Sequence, residues 1–317
     1  MCATQTVGRS SYRPSSSAAA IRASIASFRF CISVTVLVCV EQARAIWRAL
    51  LNGFGTIACM RVLLVGDTHA NTMWLENVVL KGAESLNVDA VCQLGDFGYW
   101  PSSPVFLETA RKSPVPFFFL DGNHEHFPTL YRDVEEASRR DGLSATEPVC
   151  LGGNLWYLPR GARLVWGGVR VGVLGGANSI DRGLRTRGVD WFEEEAVTSA
   201  DVAKLGAGGL CQVLLTHDAP AAANLPMPVP AERAWLCELA VCERGRETLN
   251  DAVDAVQPEL VVHGHYHRRW VLPVTRSWGS YQVVGLSEDG SDVAGNLALL
   301  ECENGEFSLR SLYELPA

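Results

Sequence analysis

Five short apolar runs in this chain each stop on residues that can bind a cation. Val62–Val65 leads through Gly66 to Asp67-Thr68-His69, and Ala90–Leu94 leads through Gly95 to Asp96. Phe117–Leu120 leads to Asp121-Gly122-Asn123-His124-Glu125. Val213–Leu215 leads to Thr216-His217-Asp218, and Leu260–Val262 to His263-Gly264-His265-Tyr266-His267. A short apolar run without alternation reads as a strand buried on both faces. Such a strand, ending on a small residue and then a polar one, delivers that polar residue to the edge of a sheet. Five of them carrying carboxylate, amide and imidazole predict a sheet system whose strand ends converge on one site.

The histidines sharpen this. The chain has seven, at 69, 124, 126, 217, 263, 265 and 267, and all lie in or beside these five blocks. Surface histidines would be scattered. His126 reads as a helix-start residue, and His263 as a strand-end residue that supports a ligand rather than being one.

From Met60 the pattern alternates between strand and helix. Strand 61–66 precedes a helix over 71–85 with Asn71 as its N-cap. Strand 89–94 leads into the aromatic loop 95–104, a helix over 104–112, strand 115–120 and a helix over 126–140. This alternation argues for an α/β sheet. Short β-type runs follow at Leu155–Leu158, Ala162–Trp166 and Val169–Leu174. After the loop 175–189, Trp191-Phe192-Glu193-Glu194-Glu195 reads as the acidic start of a helix over 190–204. Strand 211–215 precedes a proline-rich loop over 219–234, a candidate lid. A helix over 245–256, strand 259–263 and hairpin-like runs over 269–313 complete the chain. A β-rich second half packed on an αβ first half suggests two sheets between layers of helices.

Residues 1–59 have a different character. They carry six arginines and one acid, a charge of +5, which leaves −13 of the chain's net −8 on residues 60–317. An acidic body argues against a broad nucleic-acid footprint, and so against a nuclease. Residues 1–59 are expected to be a non-globular extension and 60–317 the globular domain. Phe30–Val40 is apolar but short for a membrane span. With Ala43-Arg44-Ala45 after it, the segment reads as a secretory signal or anchor, as sequence upstream of a true start at Met60, or as a disordered tail. The first reading gives an exported or membrane-anchored protein and the others a cytoplasmic one, which is the expectation adopted. The ten cysteines include no CxxC pair, and Cys92 and Cys211 sit in apolar runs. They read as reduced thiols.

Carboxylate, amide oxygen and imidazole suit divalent cations such as Mn, Fe, Zn or Co. Two cations about 3.5–4 Å apart can clamp a phosphoryl group, and they need a carboxylate between them. The blocks Asp67-x-His69, Gly95-Asp96, Gly122-Asn123-His124-Glu125, His217 and Gly264-His265-x-His267 resemble the calcineurin-like metallophosphoesterases in kind and in order. The resemblance spans residue 60 to about residue 270 and implies a four-layer αββα sandwich with a dinuclear metal site at the strand C-terminal edge. It implies one cation held by Asp67, His69, Asp96 and His267, and a second by Asp96, Asn123, His217 and His265, with Asp96 bridging. Mn is the metal expected to serve in vitro, with Fe, Zn, Co or Ca as alternatives. It implies hydrolysis of a small phosphomonoester or phosphodiester by in-line attack of a metal-bridging hydroxide, with His124 at the leaving oxygen or the phosphoryl oxygens.

The pattern departs from the family at Tyr99, where many members carry an acid that orients the catalytic histidine. Asp121 and Glu125 are the local candidates to replace it. Arg182, Arg185 and Arg187 either grip a substrate phosphate or form a solvated loop with nearby acids. Asn123, Arg182 and Arg185 are the expected substrate contacts. Phe97, Tyr99 and Trp100 either stack on a substrate ring or pack in the core. The rival function is a scaffold of the same fold without catalysis, expected to lack ligands that this chain retains.

Overall fold

The computed structural model describes residues 59–225 and 234–312. The expectations for residues 1–58, and for 226–233 of the proline-rich loop, lie outside the described residues. No helix among the described residues is long and apolar enough to cross a membrane.

The strands are β1 (Cys59–Val65), β2 (Ala90–Leu94), β3 (Phe117–Leu120), β4 (Val149–Cys150), β5 (Leu155–Tyr157), β6 (Arg163–Trp166), β7 (Val169–Leu174), β8 (Val213–Thr216), β9 (Leu260–His263), β10 (Trp270–Arg276), β11 (Gly279–Gly285), β12 (Leu297–Glu303) and β13 (Glu306–Ser311). They form two mixed sheets, ordered β13-β12-β1-β2-β3-β5-β4 and β10-β11-β9-β8-β7-β6. β1, β2 and β3 run parallel, as do β7, β8, β9 and β11. Parallel neighbours end at the same edge, so the predicted strand ends come together.

Alternation along the strands builds the layers. Leu63, Val65, Val91, Phe117 and Phe119 pack with Leu75, Val79, Phe106, Ala110 and Leu130 of the helical segments 72–85, 104–111 and 127–141. Leu174, Leu214, Val261 and Val283 pack with Leu205, Leu249 and Val253 of helices Ser199–Ala207 and Ala234–Val256. The intervening residues Val62, Leu64, Cys92, Phe118, Val173, Val213 and Val262 are fully buried as well. Phe118 of one sheet meets Trp166 of the other, with ring centroids 6.4 Å apart. The result is the expected αββα sandwich. Each fully buried phenylalanine in β3 contributes about 1.5–3 kcal/mol of transfer free energy, which is why the strand that carries Asn123 and His124 needs no polar face.

Local signals fixed several boundaries. Asn71 caps the first helix, its side chain accepting from the Trp74 N–H. That helix runs Thr72–Trp74, then Leu75–Leu80 in π register, then Lys81–Ser85. His126 caps Phe127–Asp141, as a helix-start residue should. Cys92 and Cys211 are buried free thiols.

Two expectations are corrected. The acidic helix over 190–204 is instead one 3-10 turn, Glu193–Glu195, followed by a helix over Ser199–Ala207. Thr198 has extended backbone and closes a capping box with Asp201, so the helix starts afresh there. The helix expected from 245 begins at Ala234. The second half of the chain does not make one sheet. β10 and β11 join the second sheet, whereas β12 pairs antiparallel with β1, Leu63 opposite Leu299, and completes the first.

Candidate metal centre

The loop after each parallel strand turns sharply, and close approach dictates its residues. Gly95 has φ +90°, and a Cβ there would collide with the His217 ring. A Cβ on Gly122 would collide with the Asp96 carboxylate. His69, Asp96, His265 and His267 all hold left-handed backbone, with φ of 44°, 51°, 70° and 54°. Non-glycine residues rarely adopt this region, and such strain is kept where the surroundings over-determine it.

Two groups of side chains result. Asp67, His69 and His267 bring ligand atoms within 4.8 Å of one another, and so do Asp96, His217 and His265. In the first group the His267 Nε2 lies 3.1 Å from Asp67 Oδ2. In the second the His217 Nε2 lies 3.2 Å from Asp96 Oδ1 and 3.1 Å from Asn123 Oδ1. Asp96 joins the groups: its other oxygen, Oδ2, is 3.6 Å from His69 Nε2. The same Oδ2 is 3.9 Å from His124 Nε2. The seven residues inferred as ligands from the sequence are therefore gathered at one place, with His124 beside them.

The imidazoles are aimed by their far nitrogens. His69 Nδ1 meets Asp289 Oδ1 at 2.9 Å, and Asn71 Nδ2 donates to the other Asp289 oxygen at 2.6 Å. His267 Nδ1 meets Glu288 Oε2 at 3.0 Å. His217 Nδ1 meets the Leu94 carbonyl at 2.8 Å. With the proton on Nδ1, each Nε2 lone pair faces the carboxylates, the arrangement metal-binding histidines require. His69, Glu288 and Asp289 also come within 4.8 Å of one another, but these carboxylates face Nδ1 and act as braces.

The electrostatics call for positive charge. Asp67 and Asp96 are buried carboxylates. Burial opposes charge on His69, but Asp289 and Asp96 outweigh it and raise its pKa to about 11. Burial likewise opposes charge on His217, and Asp96 raises it to about 10. Burial raises Asp96, yet His217 and His124 hold it well below the usual range. Without cations, protons on these imidazoles balance the carboxylates; divalent cations would displace them. The donor set therefore fits two such ions.

The residues expected to orient His124 are engaged elsewhere. The Glu125 carboxylate accepts from the N–H groups of Phe97, Gly98 and Tyr99 at 2.8, 3.0 and 2.6 Å, and so shapes the loop after Asp96. Burial, then Asp96, raises Glu125 to about 7. Asp121 accepts from Tyr157 Oη and from the buried Arg160 guanidinium. Phe97 and Tyr99 are core residues, and Tyr99 Oη donates to Asp133 at 2.9 Å. Trp100 Nε1 donates to the His124 carbonyl at 2.7 Å. Arg185 reaches the His124 ring, with Nη2 2.8 Å from Nε2 and 3.2 Å from Nδ1, and is steadied by Asp181. Burial lowers His124; Asp96 opposes this, and Arg185 adds to it. Of the other loop arginines, Arg182 pairs with Glu238 and Arg187 with Glu193.

Several contributing residues were not read from the sequence. Asp289 and Glu288 follow β11, a sixth strand end whose run Val283-Val284-Gly285-Leu286 has the same form as the other five. Ser179 follows β7, a seventh. Asn123 Nδ2 donates to Ser179 Oγ at 3.0 Å, and Ser179 is held by the buried Glu195. Tyr266 Oη donates to Asp218 at 2.6 Å, tying the His217 loop to the His265–His267 loop. His263 is buried, with Nδ1 2.8 Å from the Gly264 carbonyl and Nε2 accepting from Trp270 Nε1.

A family model described as calcineurin-like phosphoesterase matches residues 60–269. The chain belongs to that family. One solved crystal structure shares the fold at 14% identity with a TM-score of 0.50, covering 80% of this chain and 99% of that one. A phosphatase from Mycoplasma pneumoniae (12% identity, TM-score 0.40, 80% and 94% covered) and a predicted phosphoesterase from Streptococcus pneumoniae TIGR4 (13%, 0.34, 80% and 88%) are more distant in shape. No curated protein sequence matches the chain.

Proposed function

We propose that this chain is a dinuclear metal-dependent phosphoesterase acting on a small phosphomonoester or phosphodiester. The observation that carries the reading is Asp96, whose two oxygens face different histidine groups, 3.2 Å from His217 and 3.6 Å from His69. Asp67, His69, Asp96 and His267 would hold one cation, and Asp96, Asn123, His217 and His265 the other. When bound, two divalent cations supply Lewis acidity and a lowered pKa for coordinated water.

The chain's own groups do the rest. Arg185 presents a donor-only guanidinium beside His124 and binds phosphoryl oxygens there, with bidentate geometry available to it. His124 hydrogen-bonds the leaving oxygen or its neighbours from the same side. Arg182, held by Glu238, is left out of this role. Mn²⁺ is the metal for the test. Full-length protein with added Mn²⁺ is expected to hydrolyse p-nitrophenyl phosphate, bis-p-nitrophenyl phosphate, or both. Hydrolysis of neither contradicts the reading.

A further inference from the structure

Asn123 differs from the other proposed ligands. A carboxylate or an Nδ1-protonated imidazole offers only lone pairs to a cation, whereas a carboxamide can present either its oxygen or its NH₂. A reversed amide would aim two hydrogens at the ion. Something must choose the oxygen.

The choice is made in the segment after β7. Glu195 is 1% exposed. Its Oε1 accepts from the Ser179 N–H at 2.7 Å and from Trp191 Nε1 at 2.9 Å. Its Oε2 lies 2.7 Å from Ser179 Oγ. Burial raises the Glu195 carboxyl, and the donors on Ser179 and Trp191 oppose this; as a carboxylate it only accepts, and the Ser179 hydroxyl spends its one hydrogen on it. What remains toward Asn123 is a lone pair, which the amide must meet with Nδ2–H, at 3.0 Å. The amide oxygen is then turned to the opposite side, 3.1 Å from His217 Nε2. Arg160 fixes the far end by donating to the carbonyls of Glu194, Glu195 and Ala196.

We infer that Glu195 is a positioning residue which, through Ser179, selects the amide oxygen of Asn123 for the cation in the Asp96–His217–His265 group. The inference rests on the two-cation reading above. It converts one member of an acidic surface-like run into part of the metal centre, two hydrogen bonds removed from the ion.

Glu195→Gln tests the polarity of the relay with its shape retained. Oε1 has two N–H donors, so the glutamine oxygen stays there and its NH₂ faces Ser179 Oγ. The hydroxyl then turns its hydrogen to Asn123 and calls for the wrong end of the amide. Full-length variants would be titrated with Mn²⁺ by calorimetry, which needs no activity. The expected result is two binding steps in the wild type, with one weakened about 10–100-fold by Glu195→Gln and the other unchanged. Adding Ser179→Ala to Glu195→Gln removes the misdirected hydroxyl, frees the amide, and recovers part of that loss. Ser179→Ala alone weakens the same step by less, and serves as the test should the glutamine variant fail to fold. Wild-type affinities at both steps in Glu195→Gln, a double variant weaker than Glu195→Gln, or equal weakening of both steps by Ser179→Ala overturns the relay alone. Fewer than two steps in the wild type overturns the two-cation reading, and the relay with it.

Discussion

The two halves of the proposed metal centre are built on different principles. In the Asp67–His69–His267 half the imidazoles are partly open, with side-chain exposures of 28% and 39%. Each is braced by a carboxylate, Asp289 or Glu288, delivered from the end of β11. In the Asp96–His217–His265 half, His217 is fully buried and is braced by a neutral carbonyl, and Asn123 by a neutral hydroxyl. The open half is held by charge, which raises the basicity of its ligands and yields to salt or neutralisation. The buried half is held by geometry. Any donor or acceptor displaced or reversed there leaves others desolvated and unpaired, so the direction of each hydrogen bond should matter more than charge acting at a distance.

Substitutions can break or sharpen this contrast. Asp96 belongs to both halves, and Asp96→Asn should abolish the distinction. We expect activity to fall by about 10³-fold or more, roughly 4 kcal/mol of barrier, with both cations weakened in calorimetry. A folded, fully active variant would end the bridging role. Asp289→Asn keeps shape and removes charge. It should weaken one Mn²⁺ step about 10–100-fold and leave the other alone; equal weakening of both would mean the halves are not separately braced. Tyr266→Phe removes the bond to Asp218 that ties the two histidine loops together. Its charge-assisted bond predicts a loss of about 1.5–3 kcal/mol in denaturant unfolding, with a smaller change in cation affinity than Asp289→Asn. Tyr99→Phe should act least. It removes one bond to Asp133, about 1 kcal/mol of stability, and leaves turnover unchanged. A large loss of turnover would give the Tyr99 position a part in catalysis that its burial in the core does not suggest.

The contrast also explains what the sequence could reveal. Ligands of both halves were legible because each follows an apolar run directly, and because the histidines occur nowhere else. Glu288 and Asp289 follow the same grammar, but Leu286-Ser287 separates them from β11 and no histidine accompanies them. The Thr198–Asp201 capping box was present as a local signal, and it outweighed the apparent helical start at the three glutamates. Glu195 could not be singled out from Glu193 and Glu194. Its role depends on Ser179 reaching it from the end of another strand, which only tertiary packing decides. The return of β12 to β1 was hidden for the same reason: a hairpin's own pattern does not say which sheet it will extend. Arg185 was named with Arg182 and Arg187, and only the path of the loop separates the one at His124 from the two held by Glu238 and Glu193.

The central claim is that Asp96 joins two cations in one site. Electron paramagnetic resonance of the full-length protein loaded with two equivalents of Mn²⁺ tests it without reference to any substrate. A carboxylate-bridged pair a few ångströms apart predicts an exchange-coupled spectrum that replaces the signal of isolated Mn²⁺ as the second equivalent binds. A second equivalent that merely doubles an isolated-ion signal would contradict the account.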